Sequence, residues 1–248
     1  MAAFALTDTS IFVGALDQSC FSDTVGLERT GDMLDATTFC SAGWRVMVPG
    51  LSSWSASFGG PQDLAASSAS TTYTPDEYYT LSVGTAYPFM MVPQGAAEGS
   101  VAYGSQALLQ QYTPLTGTVG DLAKHNVMAA PYLNTPLVRG VFATKTTATA
   151  TGNGTGHQVG AVSASQRVYA GMHFLTRGGT TSTTVILESD DNASFTSATT
   201  RATFTAATSR TAEWVSVAGA ITDDYWRFSW TISGGSPSVQ LRGFIGIG

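Results

Sequence analysis

The sequence predicts an all-β protein with at most one or two short helices, and three observations carry that expectation. First, the 248 residues include 26 Ser and 35 Thr but only 11% charged residues, against roughly 25% in ordinary soluble domains. β-Branched Thr fits a pleated surface better than a helix. Second, several stretches alternate apolar and polar residues between Gly, Ser, Asn and Asp turns, the period of a half-buried strand. Third, no stretch sustains apolar residues at a 3.6-residue period. With 43% apolar residues the chain is no disordered polymer, and it has enough length for two modest cores.

Taken in chain order, strands are expected near 11–13, 44–48, 53–58, 78–83, 89–92 and 137–142; 101–112 reads as strand or, from the helix formers at 106–111, as helix, with strand preferred. Pro49-Gly50 is expected to separate two of them, and Gly59-Gly60-Pro61 to end the second. A short helix is expected at 62–67, directly after Pro61, because proline is tolerated where a helix begins. Residues 143–156, ATKTTATATGNGTG, lack any large apolar side chain and read as a linker. Beyond it, strands are expected at 166–175, 183–188, 213–217, 226–232 and 239–247. The clearest places Trp226, Phe228, Trp230 and Ile232 on one face and Arg227, Ser229 and Thr231 on the other. The expected organisation is a domain at 1–142, a linker at 143–156 and a β-sandwich at 157–248.

Charge is divided unevenly. Residues 1–142 hold eleven acids and four bases, a net of −7; residues 143–248 hold six acids and seven bases, a net of +1. That balance excludes a cationic nucleic-acid coat, which would need Lys and Arg to displace phosphate counterions. No apolar run approaches the roughly 18 residues of a membrane helix, and the N-terminus has no basic, apolar secretory pattern. Cys20 and Cys40 are therefore expected as free thiols.

Motifs for chemistry are absent. There is no G-x-S-x-G elbow and no phosphate-binding glycine loop ending in Lys. His173 falls inside a predicted strand as a buried, hydrogen-bonded residue, His125 in a polar turn and His157 after the linker. The pairs Asp76-Glu77, Asp190-Asp191 and Asp223-Asp224 sit at predicted turns, where neighbouring carboxylates point apart. No enzyme, cofactor or metal site is expected.

A series of non-catalytic motifs carries a different signal. Phe12-Val13-Gly14-Ala15-Leu16-Asp17 is followed by Val25-Gly26-Leu27-Glu28-Arg29, by Leu34-Asp35-Ala36-Thr37-Thr38-Phe39 and by Gly43-Trp44-Arg45-Val46-Met47-Val48-Pro49-Gly50-Leu51. This order resembles the major tail tube proteins of long-tailed, siphovirus-like bacteriophages. The Leu137-Val138-Arg139-Gly140 strand matches as well, and residues 224–234 look like sandwich modules appended to phage structural proteins. The resemblance implies a tail-tube β-sandwich or barrel domain with a long hairpin arm at 27–50, polymerising with itself into hexameric rings stacked as a hollow tail. It implies tape-measure, terminator and tip proteins as partners, double-stranded DNA passing without specific binding, no membrane, and a virion location after assembly in the bacterial cytoplasm. A second L-D-x-T-T-F loop is not found after residue 143, which favours six chains per ring over three.

On that reading, Leu34 and Phe39 are the expected apolar anchors between rings. Asp35, Thr37 and Thr38 are expected to supply backbone and hydroxyl hydrogen bonds to that ring-to-ring contact, Ala36 lies in it, and Trp44 and Arg45 continue the interface. Asp17, Asp23, Glu28, Asp32, Asp63, Asp76 and Glu77 are the expected acids of a phosphate-repelling lumen. The competing expectation is a carbohydrate- or host-surface-binding module using Trp214, Trp226 or Trp230 as exposed sugar platforms.

Overall fold

A computed structural model describes residues 5–64, 73–95, 97–179 and 182–248. It is almost wholly antiparallel β structure. The chain begins with β1 (Ser10–Val13), β2 (Leu16–Asp17) and a 3-10 turn at Ser19–Phe21. The long strands β3 (Thr24–Asp35) and β4 (Met47–Pro61) follow, then one helix, α1 (Pro75–Thr80). Next come β5 (Ala86–Val92), β6 (Val101–Thr116), β7 (Lys124–Pro131) and β8 (Val138–Ala148). The remainder is β9 (Gly152–Asn153), β10 (His157–Gln158), β11 (Arg167–Gly178) and β12 (Ser182–Asp190). It ends with β13 (Thr199–Thr203), β14 (Thr211–Ala218), β15 (Tyr225–Ser233) and β16 (Ser238–Ile247). No described helix is long and apolar enough to cross a membrane.

Eleven strands form one sheet in the order β14-β11-β16-β8-β6-β5-β1-β2, with β7, β4 and β3 branching from the far side of β6. The branch arises because β6 is long. Its first residues pair with β8 and its last with β7, while Tyr103 to Leu108 pair with β5 on the opposite edge. A five-stranded sheet, in which β15 pairs with β9, β10 and β12, and β12 with β13, covers the second half.

Three cores follow from this layering. Phe174, Leu187, Trp226, Phe228 and Leu241 fill the space between the two sheets of the second half. Trp54, Phe58, Tyr79, Phe89 and Val127 pack beneath the β3–β4–β7–β6 branch. A third cluster joins them, with Phe12, Met90 and Val92 from one half against Leu175 and Phe244 from the other, and Phe142 of β8 between. Across that seam His173 Nδ1 lies 2.6 Å from the Gly14 carbonyl oxygen, to which it donates.

Several expectations are corrected by packing. Residues 78–80 of the expected 78–83 strand belong instead to α1, because Thr74 and Glu77 make a reciprocal capping box around Pro75 in the first turn. The helix expected at 62–67 is not found at Gln62, Asp63 or Leu64; the rest of it lies outside the described residues. Pro49-Gly50 does not separate two strands: β4 runs through it, and a register shift between Gly31 and Met33 absorbs the proline. The expected linker is folded. Ala143, Thr144 and Ala148 are buried in β8 against β16, so their small side chains answer a crowded interior. Gly154 sits against Thr144 and Trp230 with its N–H on the Phe228 carbonyl.

Candidate self-assembly surface

The hairpin of β3 and β4 is paired along its whole length, from Thr24 opposite Gly59 to Asp35 opposite Met47. β7, however, accompanies β4 only from Ala56 to Pro61. Beyond Arg29 and Trp54 the hairpin therefore leaves the body, and its last six β3 residues extend roughly 20 Å at strand rise. Every residue from Glu28 to Cys40 is exposed. An isolated two-stranded ribbon is marginal in water, so this one presents its apolar side chains without a covering layer.

Those side chains are numerous. Met33, Leu34, Val46, Met47, Val48 and Leu51 are exposed along the arm, and at its tip Trp44 is 79% exposed and Phe39 is as open as in an extended peptide. Neither Phe39 nor Trp44 belongs to an intramolecular core.

The polar residues of the tip do something other than expected. Asp35 Oδ1 accepts from the Thr37 N–H at 2.9 Å, and Asp35 Oδ2 accepts from Arg45 Nε and Nη2 at 3.2 and 3.1 Å. Thr37 Oγ1 accepts from the Val46 N–H, and the Thr38 N–H donates to Ser41 Oγ. Hydrogen bonds from Thr37, and then from Arg45, hold the Asp35 carboxyl below the ordinary carboxylate value. Ala36 closes the loop through its N–H on the Val46 carbonyl, and Ala42 and Gly43 turn it with positive φ. Asp35, Thr37 and Thr38 thus shape the loop from within. What they present outward is Phe39, Trp44 and the 78% exposed Arg45 side chain.

The sheet that carries the arm has two distinct faces. Val25, Leu27, Trp54, Ala56, Phe58, Val127, Ala129 and Leu109 point inward. The other face presents Thr24, Glu28 and Thr30 of β3, Ser53, Ser55 and Ser57 of β4, Asn126 and Met128 of β7, and Gln111 and Thr113 of β6. Its charged groups are Glu28 and the Lys124–Asp23 pair at 2.6 Å. Both lateral edges are open among the described residues: β3 pairs only with β4, and on the β5 side, past the Leu109 bonds to Gly84 and Thr85, no strand accompanies β6.

The seven acids expected in one lumen do not share a face. Asp17 accepts from the Ser19 N–H and hydroxyl, and Asp76 accepts from the Tyr112 hydroxyl and Gln62. Glu77 caps α1, Asp23 pairs with Lys124, and Asp63 lies beyond the end of β4. Asp32 lies out on the arm at the register shift, beside Gly50 and Leu34. Sequence reasoning also missed a second apolar tip. The β6–β7 turn exposes Leu115, Val119 and Leu122 among glycines at 117 and 120. Large apolar residues inside a glycine-marked turn were the available signal.

The residues considered for chemistry are structural. His173 is fully buried, and burial first, with Arg242 nearby, pushes its pKa down to about 4 despite the Gly14 bond. His125 lies inside β7, not in a turn; its Nε2 contacts Gln18 Nε2 at 2.9 Å and burial lowers its pKa. His157 of β10 contacts the Ala143 carbonyl. Asp223 accepts from Ser189 and pairs with Arg201 at 2.7 Å, which hold it below the ordinary value. Asp190 accepts from the Asn192 and Ser197 N–H groups, and Asp224 from Gln158. Cys20 and Cys40 are exposed free thiols. Among the described residues no three His, Cys, Asp or Glu side chains are grouped as metal ligands. The sugar-platform tryptophans are corrected too: Trp226 is fully buried, Trp230 is 8% exposed, and Trp214 stacks on Phe244.

Neither a protein-family model nor a curated protein matches the chain. Among solved structures, it aligns with a chain in the virion of a native gene transfer agent particle at 15% identity and a TM-score of 0.42, covering 54% of this chain and 98% of that one. A chain of the tail of an empty gene transfer agent particle, refined helically with C6 symmetry, gives 16%, 0.42, 54% and 98%. The phage SPP1 Dit protein gives 9% identity and a TM-score of 0.36 over 97% of this chain and 99% of that one.

Proposed function

We propose that this chain is a structural tail subunit, the major tube protein, which polymerises into stacked rings that enclose a conduit for double-stranded DNA. The observation that carries the reading is the projecting arm: a ribbon with exposed apolar side chains and a preorganised tip has a use only when another molecule covers it. The open edges of β3 and β6 support lateral closure. The branch holds four antiparallel strands, an even number, so β6 of one copy and β3 of the next meet antiparallel in a head-to-tail ring. Pro114 cannot donate to a ladder, which bounds the pairing stretch of β6 to its residues up to Thr113. Closing the ring consumes edges that a free subunit would leave open to aggregation.

The polar face then lines the bore. Where the sheet belongs to the body, its hydroxyl and amide groups carry one unpaired acid, Glu28, per copy and, among the described residues, no unpaired cation. DNA passes because the wall offers its phosphates nothing to bind; at a Debye length of about 8 Å the acids on other faces contribute little. This replaces repulsion by seven acids with an absence of cations. The near-neutral second half sits outside as decoration, and tape-measure, terminator and tip proteins meet the bore and the two tube ends. The tail is assembled in the bacterial cytoplasm and resides in the virion. The tube reading is tested by negative-stain microscopy of concentrated protein: hollow tubes or rings are expected, and dispersed monomers at every concentration overturn it.

A further inference from the structure

We propose that the arm tip of one copy docks on the opposite end of the same sheet in a second copy, against the β6–β7 turn and the groove beside it. This rests on the tube reading and adds the receiving surface. Strand direction separates the two ends. The arm tip follows Asp35 and precedes Met47, whereas the β6–β7 turn adjoins the other end, where Thr24 faces Gly59 and Pro61 faces Lys124. β3 alone puts roughly 35 Å between them.

Each end has what the other lacks. The tip carries Phe39, Trp44 and Arg45 and no acid between Ala36 and Val46. The far end exposes Val119, Leu122 and Leu64 and carries Asp121, whose carboxylate accepts from Thr118. Beside it lies an open groove of about 530 Å³ lined by Leu6, Asp8, Ile11, Cys20 and Asp23. The groove joins the turn through Asp23–Lys124 and through the Gln62 N–H on the Ala123 carbonyl. Arg45 is held only by an exposed pair with Asp35, an interaction of small net worth, so it is free to face the acids of a neighbour. Apolar tip against apolar turn and cation against acids make a heterologous contact that repeats along the strand axis and builds a filament.

The two native thiols report on this contact. Cys40 sits in the arm tip and Cys20 lines the groove, both exposed, and the extended strand between them keeps one chain's pair beyond the reach of a short bismaleimide. Treating assembled protein with that reagent should give a ladder of covalent multimers, with a Cys20–Cys40 peptide identified by mass spectrometry. Cys20→Ser and Cys40→Ser should each lose the ladder, and an equimolar assembly of the two variants should give dimers alone. Tubes that yield no Cys20–Cys40 link, or a ladder that survives in Cys20→Ser, overturn the docking and leave the tube reading standing. Protein that never assembles overturns both.

Discussion

His173 shows how a single residue ties this fold to its solvent. Its Nδ1–H is spent on Gly14, its Nε2 has no partner, and Phe12 and Arg242 are its neighbours across and along the sheet. A proton on Nε2 would place charge where nothing accepts it. The folded pKa of about 4 lies below the ordinary 6.5, so the unfolded chain binds the proton more tightly. The stabilisation is therefore complete above pH 6.5 and is lost as pH falls through the interval down to about 4. A shift of that size corresponds to roughly 3 kcal/mol. Thermal unfolding from pH 7 to 4 should show that slope, and His173→Gln, which keeps a donor for Gly14, should flatten it. Asp223 acts in a separate window, because its lowered pKa costs stability only below the usual carboxylate range. The anchors behave differently. Leu34 and Phe39 touch no core, so Leu34→Asp with Phe39→Asp should move monomer stability by no more than about 0.5 kcal/mol. The same variant should form no tubes; normal tubes would remove these residues from the interface. The motif singles out Leu34 and Phe39, and both are exposed on the arm, but the partners of Asp35 and Thr37 were not legible. Whether a loop hydroxyl serves its own chain or a neighbour depends on the turn at Ala42-Gly43, which a sequence does not draw.

Among elements, the long alternating strands were the readable part. β12, β14, β15 and β16 contain their expected segments and β11 all of its own but Gln166, because each buries one face between two sheets and composition follows. β3 escaped detection over most of its length since an arm exposed on both faces has no alternation to read. β8 was cut short for the opposite reason: tight packing selects Ala and Thr there, and small residues resemble a linker. Gly140 marks that tightness, since a Cβ on it would stand 2.1 Å from the Ile245 carbonyl oxygen. Gly140→Ala should therefore destabilise the protein by about 1–3 kcal/mol, measured by urea unfolding. The arm makes the reverse prediction. Replacing residues 30–53 with Asn-Gly joins the paired residues Arg29 and Trp54 by a two-residue hairpin turn. The shortened protein should fold with the same near-ultraviolet signature and stay monomeric at concentrations where the full chain assembles. Loss of folding would show that the arm belongs to the core after all.

At the scale of the whole molecule, the seam cluster makes the two halves neighbours through a shared sheet, and what remains open is the β3–β4–β7–β6 branch. Its four strands set the size of any ring. Strands about 4.8 Å apart and tilted about 40° occupy roughly 6 Å of circumference each. Three copies would close twelve strands with a backbone diameter near 24 Å, and side chains projecting about 5 Å from each wall leave a bore of roughly 14 Å. A DNA duplex, with opposed grooves about 8 Å deep, is wider than that. Six copies close twenty-four strands at a diameter near 48 Å and a bore of roughly 38 Å, which passes a duplex with a layer of water on every side. Clearance of that kind suits a wall of Ser, Thr, Asn and Gln, which needs distance more than repulsion to avoid holding phosphate. End-on averages of assembled protein should therefore show six subunits and a bore of that order. Adding a cation to the wall, by Ser55→Lys with Ser57→Lys, should leave the rings intact and create salt-sensitive DNA binding that the unmodified tube lacks. If the lysines bind DNA only on dissociated subunits and never in tubes, the polar face is not the one that encloses the bore.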